Sequence, residues 1–186
     1  MKHPLIIDIS MLIGLLTLFV GFAWGATCDP IADAFRKLDK QERVETRLDM
    51  PLLAKKEIEG EKRIGSMLCS PTDDVGIHTC EAVKTRPAAD SMVAPGKAEF
   101  YLTMEKVGNE EGRLRCEPAG AETLDGEQVN KYVLITTLDG KVQPKDMLWV
   151  SSKTGLPVVF YSEEVFVGRL KFVYGAAVKD CHCKKK

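Results

Sequence analysis

At 186 residues, with 26 Lys and Arg against 27 Asp and Glu, 45% hydrophobic and 28% charged, the chain fits one ordinary globular domain, which excludes disorder and a pair of large domains. A formal net charge of −1 lacks the basic surplus that neutralising a phosphate backbone requires, so nucleic acid is not an expected partner. Six cysteines stand beside three histidines, an even number whose meaning depends on the compartment.

The N-terminus bears on that compartment. Lys2 and His3 give a weakly basic start, an apolar run extends from Met11 through Val20 to Trp24, and Ala23 and Gly25 are small residues suited to a cut after Gly25. Asp8 interrupts the apolar run on one side, and Cys28, Asp29 and Pro30 end it on the other, short of the roughly 20 residues a membrane span needs. The expectation is a signal peptide over 1–25, export to a periplasm, and a single domain over 26–186 with a Cys-rich basic tail. Cleavage removes Lys2 and Asp8 together and leaves the net charge unchanged. In an oxidising compartment the cysteines read as disulfides, and of the many pairings open to six, Cys69 with Cys80 is the most local.

Asp29 and Pro30 suit a helix start, and Ile31, Ala34, Phe35 and Leu38 recur at helical spacing, predicting an amphipathic helix over about 30–42. The period then changes to two: Val44, Thr46, Leu48 and Met50 alternate with charged residues as a strand that Pro51 ends. One or two further strands are expected over 53–69. From Ser70 to Lys97 the prolines and glycines predict a long irregular connection that Cys69 and Cys80 could pin. Alternation from Ala98 to Glu105 predicts another strand, followed by strands over 113–117, 128–138, 147–151, 158–163 and 165–174, with turns at Asp139-Gly140 and Thr154-Gly155. The expected fold is α+β, mainly β: a curved antiparallel meander with an N-terminal helix.

The run Leu148-Trp149-Val150, then Lys153-Thr154-Gly155-Leu156-Pro157-Val158, then Gly168-Arg169-Leu170 and Phe172-x-Tyr174-Gly175 resembles the C-terminal strands of the LolA/LolB-type lipoprotein-carrier superfamily, which includes the N-terminal domain of RseB-type stress sensors. Leu124-Asp125-Gly126-Glu127 fits the preceding hairpin. The resemblance implies an incomplete β-barrel whose apolar concave side is covered by a loop or helix lid and holds acyl chains. The six cysteines, the single clear helix and the Cys-His-Cys tail depart from the carrier pattern.

On that reading Phe100, Leu102, Met104, Val133, Ile135, Phe160, Phe166, Leu170 and Phe172 are candidates for the cavity wall, against the alternative of an ordinary dry core. Tyr101, Tyr132, Tyr161 and Tyr174 are placed on the opposite face or at the rim, and Ser70–Lys97 is a candidate lid. Cys181, His182 and Cys183 with His78 and Cys80 match no usual zinc spacing, so neither metal nor cofactor is expected. The acid pairs fall in predicted turns and no serine sits in a nucleophile elbow, so no catalytic residue is expected. The expected function is a periplasmic carrier or binder of lipid or lipidated protein. The alternative is a non-enzymatic interaction or sensor module that meets another envelope protein.

Overall fold

The computed structural model describes residues 27–50, 56–72, 76–106, 113–163 and 168–184. The expected signal peptide and Phe166 lie outside them. Helix α1 spans Asp29–Asp39 and is followed by β1 (Arg43–Met50), β2 (Lys56–Ile64), β3 (Met67–Pro71) and β4 (His78–Ala82). Helix α2 (Lys97–Lys106) then leads to β5 (Arg113–Leu124), β6 (Glu127–Leu138), β7 (Lys141–Val142), β8 (Asp146–Ser151), β9 (Pro157–Ser162) and β10 (Arg169–Tyr174).

The strands form one open sheet in the order β4-β3-β2-β1-β10-β9-β8-β6-β5, with β7 pairing β6. The named strands all pair antiparallel. Asp125-Gly126 and Asp139-Gly140 make the tight turns of β5–β6 and β6–β7: both residues of each pair have positive φ, as hairpin twist demands.

Helix α1 forms because Pro30 fits its first turn, Asp29 meets the positive end of its dipole, and Arg36 and Lys37 meet the negative end. Its buried face of Ile31, Ala32, Ala34, Phe35 and Leu38 joins one core with Val44, Leu134, Leu148, Val150, Phe160, Leu170 and Phe172. Phe35 lies between Tyr101 of α2, 5.2 Å between ring centres, and Phe172 of β10, 6.5 Å away edge-on. Both helices therefore share the core of one sheet face. On the other face Val129, Trp149 and Val159 form a smaller cluster. Lys131 and Arg169 lie over the Trp149 ring, whose Nε1 donates to Glu122.

Four expectations are corrected. Ala98–Glu105 is helical rather than the first strand of the meander: Lys, Ala, Glu, Leu and Met are good helix formers, and Ala98 and Tyr101, three apart, are both buried. Tyr101 consequently faces the core. The connection after Ser70 holds a strand, β4. Finally, Cys69 and Cys80 are both oxidised but not to each other: the disulfides are Cys28–Cys116, Cys69–Cys181 and Cys80–Cys183.

The last two disulfides follow from the path of the tail. Residues 181–184 run along the outer edge of β4 in a parallel bridge, in which His78 N donates to His182 O at 2.9 Å and Lys184 N to His78 O at 3.0 Å. The edge that β4 would present to another chain is thus covered by the protein's own tail and bolted there by two disulfides.

Candidate functional site: an apolar cavity beneath helix α2

Flat, the six strand-to-strand steps from β2 to β5 would span about 29 Å. Yet Ile58 of β2 and Leu114 of β5 line the same cavity of about 710 Å³, so the sheet curls around it. The volume falls within the roughly 300–1,000 Å³ of ligand sites.

The wall has three parts. Strands β1 and β2 contribute Thr46, Leu48, Ile58 and Gly60; strands β5, β6, β9 and β10 contribute Leu114, Leu134, Thr136, Leu138, Phe160, Ser162 and Leu170. Helix α2 and the segment before it form the cover, with Ala89, Ser91, Met92, Lys97, Phe100, Tyr101 and Met104. Most of this lining is apolar, and its alternation follows the pleat: Leu134, Thr136 and Leu138 point inward from β6.

Lys97 is the one cation of the lining. Its Nζ donates to the carbonyls of Ala88 (2.8 Å) and Ala89 (3.2 Å) and stands over the rings of Phe100 and Tyr101. Burial lowers its pKa to about 8, against the pull of Asp90, Glu61 and Asp146. The Tyr101 hydroxyl is pushed above its ordinary value, chiefly by burial and further by Asp146. Glu61 accepts from Arg86 Nη2 at 2.8 Å. No nucleophile–base pair is among these contacts; Lys97 ties the cover to its own backbone, and the lining also carries the carboxylates of Glu59, Glu61, Asp90 and Asp146.

Of the wall residues expected from sequence, Phe100, Met104, Phe160 and Leu170 come together on this cavity. Leu102 packs against the main core, and Phe172 is buried within it against Phe35. Val133 and Ile135 alternate with the inward Leu134 and so stand on the opposite face, a correction. Phe166 lies outside the described residues. Sequence reasoning missed Leu48, Leu114, Leu134 and Leu138, although the alternation of β1 already carried Leu48. The Cys-His-Cys tail is engaged structurally: both cysteines are bonded, and His182 N donates to Nδ1 of His78 at 3.3 Å.

No family model and no curated protein matches the sequence. Among solved structures the chain is similar to the lipoprotein LppX of Mycobacterium tuberculosis, at 11% identity and a TM-score of 0.45 over 78% of this chain and 91% of that one. It is also similar to LprF of Mycobacterium bovis, at 10% identity and a TM-score of 0.42 over 81% and 93%. A LolA superfamily protein of Nitrosomonas europaea aligns at 20% identity and a TM-score of 0.24 over 74% and 73%. The chain's open antiparallel sheet with helices on one face is the architecture that the resemblance to LolA/LolB-type carriers implied.

Proposed function

We propose that the protein is an exported, non-enzymatic binder or carrier of acyl chains, free or attached to a lipidated protein. Residues 1–25 serve as its signal peptide, 26–186 form one domain, and the periplasm is its compartment. Three disulfides with no free cysteine support an oxidising compartment.

The observation that carries this reading is the largely apolar cavity between α2 and the curled sheet, with Phe100, Met104, Phe160 and Leu170 in its wall. Each methylene moved from water into such a wall contributes about 0.8 kcal/mol, so an acyl chain gains affinity by burial alone. A cavity whose exposed wall is mainly apolar suits a chain without polar groups better than a sugar or nucleotide.

The test is native mass spectrometry of the purified protein for bound lipid, followed by displacement of a fluorescent fatty acid. Met104 is half-buried at the wall, so Met104→Glu places a charge in the cavity without removing a core residue. Binding by the wild type and its loss in Met104→Glu, with the far-UV spectrum unchanged, is the expected result. No binding by the wild type, or equal binding by both, would leave the interaction module as the better account.

A further inference from the structure

Among the described residues three large hydrophobic side chains are exposed: Ile58 at 40%, Leu138 at 40% and Val142 at 65%. Single exposed hydrophobics are ordinary on a protein surface. These three share one end of the sheet. Ile58 lies near the start of β2, Leu138 ends β6, and Val142 lies opposite Thr137 on the β6–β7 ribbon. Antiparallel pairing puts the start of β2 and the ends of β1 and β6 at that same end, through the pairs Asp49–Glu57, Asp49–Arg169, Asp146–Ser162 and Leu134–Asp146. Ile58 and Leu138 also line the cavity, so the mouth opens between two exposed apolar side chains.

The ribbon carries three exposed cations. Arg113 lies opposite Thr137, Lys141 opposite Leu138, and Lys145 immediately precedes β8. All three are exposed, and none makes an ion pair among the described residues. The acidic groups beside them are Asp139 at the turn, Asp146 and Glu163, whose Oε2 accepts from the backbone N of Lys145 at 3.2 Å. Apolar side chains interleaved with unpaired cations match the interface of an anionic bilayer, where hydrocarbon lies just beneath negative headgroups.

We propose that this end of the sheet, centred on Leu138, Val142, Lys141 and Arg113, docks the protein on an anionic lipid bilayer and sets the cavity mouth against it. The proposal rests on the acyl-binding reading for its purpose, since docking shortens the path of an acyl chain between bilayer and cavity. Of its central residues only Leu138 lines the cavity; Val142, Lys141 and Arg113 do not.

The test is co-sedimentation of the full exported protein with vesicles of phosphatidylglycerol and phosphatidylcholine, against phosphatidylcholine alone. Wild type should associate with the first and fall away as salt is raised. Val142→Asp should reduce the association roughly tenfold, and Arg113→Glu with Lys141→Glu should remove it. Displacement of the fluorescent fatty acid without vesicles should be unchanged in both variants, which also shows that they fold. Equal association of both variants, or none by the wild type, overturns the docking surface and points to a protein partner. Vesicle association that follows these expectations in a protein that binds no fatty acid overturns the acyl-binding reading instead.

Discussion

Nη2 of Arg63 donates to the carbonyl of Leu38 at 2.6 Å, beside the backbone N–H of Gln41 at 3.0 Å, so a strand side chain joins the last turn of α1. Its Nε donates to Val93 O at 2.8 Å, and the residue is 4% exposed. One guanidinium thereby joins β2, the end of α1 and the segment leading to α2. Burial lowers its pKa, an effect that Asp39 opposes. Arg63→Met should cost about 3 kcal/mol, because the buried charged hydrogen bonds to the carbonyls of Val93 and Leu38 are lost together. The urea midpoint should fall with an unchanged slope, and Arg63→Lys should restore only part of the loss because an ammonium lacks the planar fork.

Lys97 gives the fold a pH signature. Burial lowers its pKa from 10.5 to about 8 in the folded protein, so between those values the unfolded chain holds the proton more tightly and stability rises with pH. The gain between pH 8 and 10 should be at most about 2–3 kcal/mol. Near pH 10 the trend reverses: Tyr101, Tyr132 and Tyr174 all have pKa values raised by burial, so the unfolded chain loses its phenolic protons first. Denaturation midpoints across this range should show the rise in wild type and its absence in Lys97→Met.

Non-reducing peptide mapping should return Cys28–Cys116, Cys69–Cys181 and Cys80–Cys183, with no peptide joining Cys69 to Cys80. Removing the first pair as Cys28→Ala with Cys116→Ala opens a loop of sequence separation 88 and should cost roughly 4–5 kcal/mol on the chain-entropy model. It also unties α1 from β5, so the loss should include the packing of Phe35 against Tyr101.

Gly60 sits where the β1–β2 register shifts, and a Cβ there would come within 2.6 Å of both the carbonyl oxygen and Oγ1 of Thr46. Gly60→Ala should destabilise by about 1–3 kcal/mol, the range of an overpacked core. Since Gly60 and Thr46 both line the cavity, fatty-acid affinity should fall as well. Thermal melts and displacement measured on one sample separate the two effects.

The hairpins were legible in the sequence because their turns are local: Asp125-Gly126, Asp139-Gly140 and Thr154-Gly155 each specify backbone geometry within two residues. Helix α1 was legible for the same reason, its start and its buried face lying within eleven residues. Helix α2 was not, because Ala98, Phe100, Leu102 and Met104 alternate over a segment too short to separate a period of two from one of 3.6. The phase of β6 was hidden because both of its faces bury side chains, Leu134 on one and Val129 and Ile135 on the other. The cysteine pairing depends on the tail returning to β4 across more than 100 residues. Proximity in sequence favoured Cys69 with Cys80, and in space these two do stand opposite each other with sulfurs 3.9 Å apart.

That arrangement couples the tail to the edge of the sheet. Counted from the N-terminus the cysteines are joined first to fourth, second to fifth and third to sixth, so no bond links neighbours in the chain. In a chain delivered N-terminus first, Cys69 and Cys80 emerge together, ahead of their partners Cys181 and Cys183. Cys69 and Cys80, aligned across β3 and β4 with sulfurs 3.9 Å apart, are near enough for thiol–disulfide exchange between the two tail bonds. Breaking both tail bonds would free the tail from β3 and β4 and uncover the β4 edge at His78, so the redox state of these four cysteines decides whether that edge is closed.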